Sequence, residues 1–93
     1  MDADPGIDRE HFSLALQGGG RRQLSPTEWR LFTALYLRHG RIVPPGELAK
    51  ASRIAKSALH ERIQRLRRGL VRSRFLVLRH GAHGYELIMR IEE

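Results

Sequence analysis

Between His11 and Ser25 ("HFSLALQGGGRRQLS"), Phe12, Leu14 and Leu16 alternate with Ser13 and Ala15, and Gly18, Gly19 and Gly20 follow. A period of two is that of a strand with one buried face, and a glycine triplet supplies a turn, so this stretch predicts a hairpin. From Trp29 the spacing becomes helical: Trp29, Phe32, Leu35 and Tyr36 form one stripe, broadened by Leu31. "LSPTEW" marks the start of that helix. Ser25 is the expected N-cap, Pro26 occupies the first helical position and Glu28 completes a capping box, with Leu24 placed to staple against Trp29. The helix is expected to run to about Arg38, with Gly40 stopping it. The apolar "RIV" (41–43) and two prolines lead to a brief second helix over Gly46–Ala51 with Leu48 inward. Ser52–Ala55 then form a tight turn, and a third helix runs from Lys56 to Leu70. "FLVLR" (75–79) and "YELIMRI" (85–91) predict two more strands around the loop "HGAHG".

Hairpin, helix, short strand, helix, tight turn, helix, hairpin is an α+β order. Two helices joined by a four-residue turn form a helix-turn-helix, and a hairpin directly after the second makes it winged. The expected architecture is three helices with an N-terminal hairpin and a C-terminal wing hairpin. It occupies residues 11–93, with residues 1–10 ("MDADPGIDRE") as a flexible N-terminal tail.

Ninety-three residues suit one domain. A core this small leaves room for association with a partner or with itself as a homodimer. With no cysteine, disulfides and thiolate metal sites are excluded and a reducing compartment fits. No apolar run approaches the roughly 18 residues that span a bilayer, and the acidic start is wrong for a signal peptide. A cytoplasmic protein with no membrane partner is expected. The glycine triplet lacks the Lys-Ser/Thr ending of a phosphate loop. No nucleophile or acid/base constellation stands out, so no enzyme and no cofactor are expected. The five histidines include His80 and His83 in the wing loop, but with Glu86 as the nearest acid the expectation is no metal site. His39, at the end of the first helix, suits the negative end of its dipole.

Charge changes the picture most. Eight Lys and Arg residues lie between Arg53 and Arg74 against one acid, Glu61, so this window carries +7, the net charge of the whole chain. The third helix holds most of it. Leu59, Ile63, Leu66 and Leu70 fall within about 60° of one another on a helical projection. Ser57, Glu61, Gln64 and Arg68 lie on the far side with Arg65 beside them, while Lys56, Arg62 and Arg67 flank the stripe. A helix that merely faced water would mix Glu with Lys for i,i+4 pairing. A leucine stripe with an arginine-lined opposite face is what a reader of duplex DNA needs.

"LSPTEWRLFTALYLRHGRIVPPGEL", "ERIQRLRRGL" and "VLRHGAHGYEL" together resemble the OmpR/PhoB-type winged helix-turn-helix DNA-binding domain over about residues 12–90. They match its first two helices, the end of its recognition helix and its wing. The resemblance implies that Ser57, Ala58, Glu61 and Arg65 face base edges in the major groove, and that Lys56, Arg62, Gln64, Arg67 and Arg68 lie near the DNA backbone. Arg79, with His80 and His83 beside it, would approach the minor groove. The side-chain chemistry agrees: Arg reads guanine, Glu accepts from cytosine and Gln pairs with adenine. Against the family pattern, a stand-alone domain without a receiver domain, a reduced N-terminal sheet and a wing turn one residue longer are expected. "SRIAK" replaces the longer loop that touches RNA polymerase. The expected function is therefore a sequence-specific transcription regulator that binds double-stranded DNA. The alternative is a winged-helix module that engages RNA polymerase or another regulator.

Leu59→Ala should cost about 2–5 kcal/mol, because the stripe anchors the third helix. A melting temperature within a degree of the unaltered chain would show that the stripe is misplaced.

Overall fold

The computed structural model describes residues 6–90. The N-terminal segment forms a three-stranded antiparallel sheet, β1 (Ile7–Asp8), β2 (Ser13–Ala15) and β3 (Arg21–Gln23), in the order β1-β2-β3. The expected hairpin is β2–β3, and its turn holds Gly18, Gly19 and Gly20 all at positive φ. β1 corrects the expectation of a tail over residues 1–10. Ile7 pairs with Leu14 and packs against the core, so the ordered sheet begins before residue 11. A lone isoleucine among acids carries no periodic signal. Residues 1–5 lie outside the described residues. Arg21 pins this edge, donating from Nε to Ser13 Oγ and from Nη2 to the Ser13 carbonyl.

α1 (Pro26–Tyr36) starts as its sequence requires. Ser25 Oγ accepts the Glu28 N–H at 3.2 Å and its hydroxyl donates to Glu28 Oε1 at 2.7 Å, so serine and glutamate are tied together at the first turn. Trp29, Leu31, Phe32 and Leu35 are buried. Phe12 stacks on Trp29 with ring centroids 5.4 Å apart. Leu24 is buried too, and its Cδ2 lies 2.7 Å from where a Cβ on Gly69 would stand. Gly69 therefore lets the chain before α1 close against the end of the third helix. His39 Nδ1 donates to the Tyr36 carbonyl at 2.7 Å, placing the ring at the helix C-terminus as its dipole favours.

α2 (Pro45–Ser52) buries Leu48 and ends at Arg53, which adopts a left-handed conformation with φ 60°. The connecting turn also contributes Ile54 to the core, a role its place in a tight turn concealed. Lys56–Ala58 form a 3-10 turn and α3 (Leu59–Gly69) continues from it, so the expected single helix is a 3-10 entry followed by an α-helix. α1 packs against both α2 and α3.

The wing is β4 (Phe75–Arg79) paired antiparallel with β5 (Tyr85–Met89), with Arg79 opposite Tyr85 beside the turn. Ile91, placed in the second strand by its sequence, lies outside the described residues. "RIV" contributes a single bridge: Val43 and Tyr85 exchange backbone hydrogen bonds of 2.7 and 3.0 Å. Phe75 meets Phe32 edge to face at 5.1 Å, which joins wing to α1. The result is a winged helix-turn-helix.

Gly84 is the tightest point of the wing. Its φ of 127° is open only to glycine, and an added Cβ would stand 1.9 Å from the Val43 carbonyl oxygen. Gly84→Ala should cost about 3 kcal/mol or more, since it breaks the bridge that seats the wing. Gly81→Ala has open space around it and should cost only about 1–2 kcal/mol for its φ of 56°. Denaturant melts of the two variants check the contrast; equal losses would mean that the Val43–Tyr85 bridge does not hold the wing.

Candidate nucleic-acid interface

The orientation of α3 follows from its stripe. Leu59, Ile63, Leu66 and Leu70 are all buried, at most 3% exposed. Ser57, Glu61, Arg65 and Arg68 are consequently exposed, with Gln64 half-buried on the same side. Lys56 is exposed, whereas Arg62 and Ala58 are half-buried, Ala58 packing against the core. Apart from the half-buried Gln64, the residues that angular spacing puts opposite the stripe are exposed.

Two of the expected contact residues are partly committed within the fold. Arg67 donates from Nε to the Val77 carbonyl at 3.3 Å and so links α3 to β4, in place of projecting freely toward a phosphate. Arg65 Nη2 lies 3.5 Å from Glu61 Oε2, one turn away. At that distance, with both groups exposed, the pair is weak and can exchange for a stronger partner. No ion pair among the described residues engages Lys56, Arg62, Arg68 or Arg79. The start of α3 carries no side-chain cap, so the first N–H groups of the segment add to the positive end that Lys56 begins.

In the wing, Arg79 is exposed and shares a strand face with buried Phe75 and Val77, so it extends the side of β4 that faces the helices. His80 is tied sideways: its Nε2 lies 2.9 Å from Glu86 Oε1 across the hairpin. His83 is exposed at the turn. Of the three wing residues, Arg79 and His83 are presented outward and His80 is partly used by the wing itself.

Sequence reasoning missed the residue that secures the far end of α3. Arg22, from β3, donates from Nη1 to the carbonyls of Arg68, Gly69 and Val71, at 3.3, 3.2 and 2.7 Å. A cation there satisfies the orphan carbonyls and complements the helix dipole. Arg72 reinforces the contact, donating to the Gln17 carbonyl at 2.6 Å while its own carbonyl accepts the Gln17 N–H. Only the pairing of distant segments brings these groups together, so no local pattern marks them.

Other charges are balanced away from this face. Glu47 binds both Arg38, at 3.0 Å, and Arg41. Arg41 first, then Arg38, hold the Glu47 carboxyl below the usual glutamate range. Asp8, Glu10 and His11 gather within 4.8 Å of one another, but Asp8 caps the N–H groups of Glu10 and His11 and pairs with the His11 ring. Among the described residues no helix is long and apolar enough to cross a membrane.

No protein family matches the chain by sequence, and no curated protein matches it. The fold is similar to that of the response regulator AdeR DNA-binding domain, whose crystal structure was solved in complex with an intercistronic region. The TM-score is 0.66 at 19% sequence identity, over 87% of this chain and 90% of that one. The likeness establishes the fold, the winged helix-turn-helix that the three sequence motifs implied.

A depressed carboxylate stabilises the folded state above its ordinary range and loses that contribution as pH falls through it. Glu47→Gln should therefore melt slightly below the unaltered chain near neutral pH, and the gap should close as pH falls below the ordinary glutamate range and through the lowered one. A gap that persists in acid would mean that Glu47 acts through packing and not through its charge.

Proposed function

We propose that this protein is a sequence-specific transcription regulator that binds double-stranded DNA and acts in the cytoplasm. The observation that carries the reading is the division of α3 into a fully buried leucine stripe and an exposed polar face rich in arginine. The segment 56–70 enters the major groove and the wing, about 79–85, lies at the neighbouring minor groove, as the helix-turn-helix geometry favours. The DNA complex formed by the AdeR domain supports the same reading.

Within this reading the residues divide by task. Ser57, Ala58, Glu61 and Arg65 read base edges. Lys56, Arg62, Gln64 and Arg68 hold the backbone, with the remaining Nη groups of Arg67 contributing from the wing side. Arg79 and His83 reach the minor groove, His80 beside them. Glu61 and Arg65 begin as partners, so DNA binding exchanges a weak internal pair for contacts to bases: the carboxylate accepts from a cytosine amino group and the guanidinium fork meets a guanine edge. The contact to RNA polymerase made by a longer inter-helix loop is not available to a turn of this length, so we infer repression, or activation through another surface.

Arg65→Ala should lose about 1–3 kcal/mol on the preferred site and relax the preference at one base pair. Arg68→Ala should weaken all duplexes alike and reduce the salt-dependence slope by about one unit. Binding of both variants to the preferred site and to a scrambled duplex, across a salt series, separates the roles. The same uniform loss for both would make α3 an electrostatic clamp. No loss for either would remove the DNA reading and favour a protein-binding module.

A further inference from the structure

A pocket of about 130 Å³ opens at the base of the wing, between the end of α3 and β4. Leu70, Val71, Phe75 and Leu76 form its apolar wall, and Arg67 and Arg90 line it with positive charge. It lies at the opposite end of the hairpin from the turn over residues 80–84: Phe75 pairs with Met89 at this end, and Arg79 with Tyr85 at the other. None of the residues proposed to read bases lines it.

Three features limit what could sit there. Sites that enclose whole small molecules run from about 300 Å³ upward, so this pocket has room for one large apolar side chain rather than a free metabolite. Val71, on its wall, is 55% exposed, an apolar surface left in water immediately beside the opening. Among the described residues no acid lines the pocket, and both of the charged ones that do are arginines, whose planar forks suit carboxylates. The bond from Arg67 Nε to Val77 holds that guanidinium on the wing side of the helix. Arg90 is anchored through its backbone N–H to the Arg74 carbonyl at 2.7 Å, and its side chain is exposed.

We propose that this pocket is a docking site for an acidic segment of a partner protein. The segment inserts one leucine- or phenylalanine-sized side chain between α3 and the wing and sets its flanking carboxylates on Arg67 and Arg90. An apolar anchor in a small pocket with a charged surround is the usual anatomy of an interface hot spot. The site shares Arg67 with the proposed DNA-backbone contacts but none of the proposed base readers, and its apolar anchor beside Val71 does not rest on the DNA reading.

The test uses the isotope-labelled full chain, titrated with a synthetic peptide of one phenylalanine flanked on each side by aspartates, and with its alanine counterpart. Amide shifts should saturate and stay within residues 70–77 and around Arg90, and the alanine peptide should bind about tenfold more weakly. Val71→Glu should abolish the saturable shifts, and Arg90→Glu should weaken them while lowering their salt dependence. Equal binding of the two peptides, with shifts spread along the exposed face of α3, would reduce the interaction to general charge attraction and overturn the proposal. So would the absence of saturable shifts at millimolar peptide. If Val71→Glu does not fold, as judged by circular dichroism, the comparison of the two peptides on the unaltered chain decides the matter.

Discussion

Burial of four aliphatic side chains, Leu59, Ile63, Leu66 and Leu70, fixes the rotation of α3 about its own axis. On a rigid helix that one angle sets the direction of every other side chain. Turning α3 by one residue would bury an arginine and expose a leucine, and a lone buried guanidinium is far costlier than the apolar area lost. The stripe therefore does more than stabilise: it selects which cations face outward.

The remaining arginines show a division of labour that net charge conceals. Arg21, Arg22 and Arg72 spend donors on backbone carbonyls in or beside the N-terminal sheet and at the end of α3. Arg30 donates to the Ser52 carbonyl and fastens α1 to the end of α2. Arg38 and Arg41 are balanced by Glu47. Five donors from one planar group can close several open carbonyls at once, which suits a chain with few residues for core building. Among those left exposed, Lys56, Arg65 and Arg68 lie on α3 or its 3-10 entry and Arg79 in the wing, while Arg9, Lys50 and Arg53 lie elsewhere. A basic protein of this kind is thus held together by part of its positive charge and presents the rest.

The wing depends on an equally local constraint. Gly84 permits Val43 to approach Tyr85 closely enough for two backbone hydrogen bonds, which couples the strand segment before α2 to the hairpin after α3. Phe75 against Phe32 makes the second connection. The two surfaces proposed to meet DNA are therefore mounted on the same three-helix core, and their spacing is a property of that core rather than of either surface.

Local periodicity and end signals determined the order of the three helices, both hairpins, the cap of α1, the burial of Trp29 and the facing of α3, because each depends on neighbours within a turn or two of the chain. The direction in which Arg65 and Arg68 project was legible for the same reason: helical spacing and a clear apolar stripe suffice. What tertiary structure alone decided are the contacts between segments far apart in sequence. β1 exists because Leu14 offers Ile7 a partner. Arg22 closes α3 from 46 or more residues away. Arg67 and His80, alike in sequence to their free neighbours, are drawn to Val77 and Glu86. Gly69, at the end of α3, gives Leu24 its place. An arginine carries the same charge wherever it stands, and only the packing around it settles whether its donors are spent on the fold or kept for a partner.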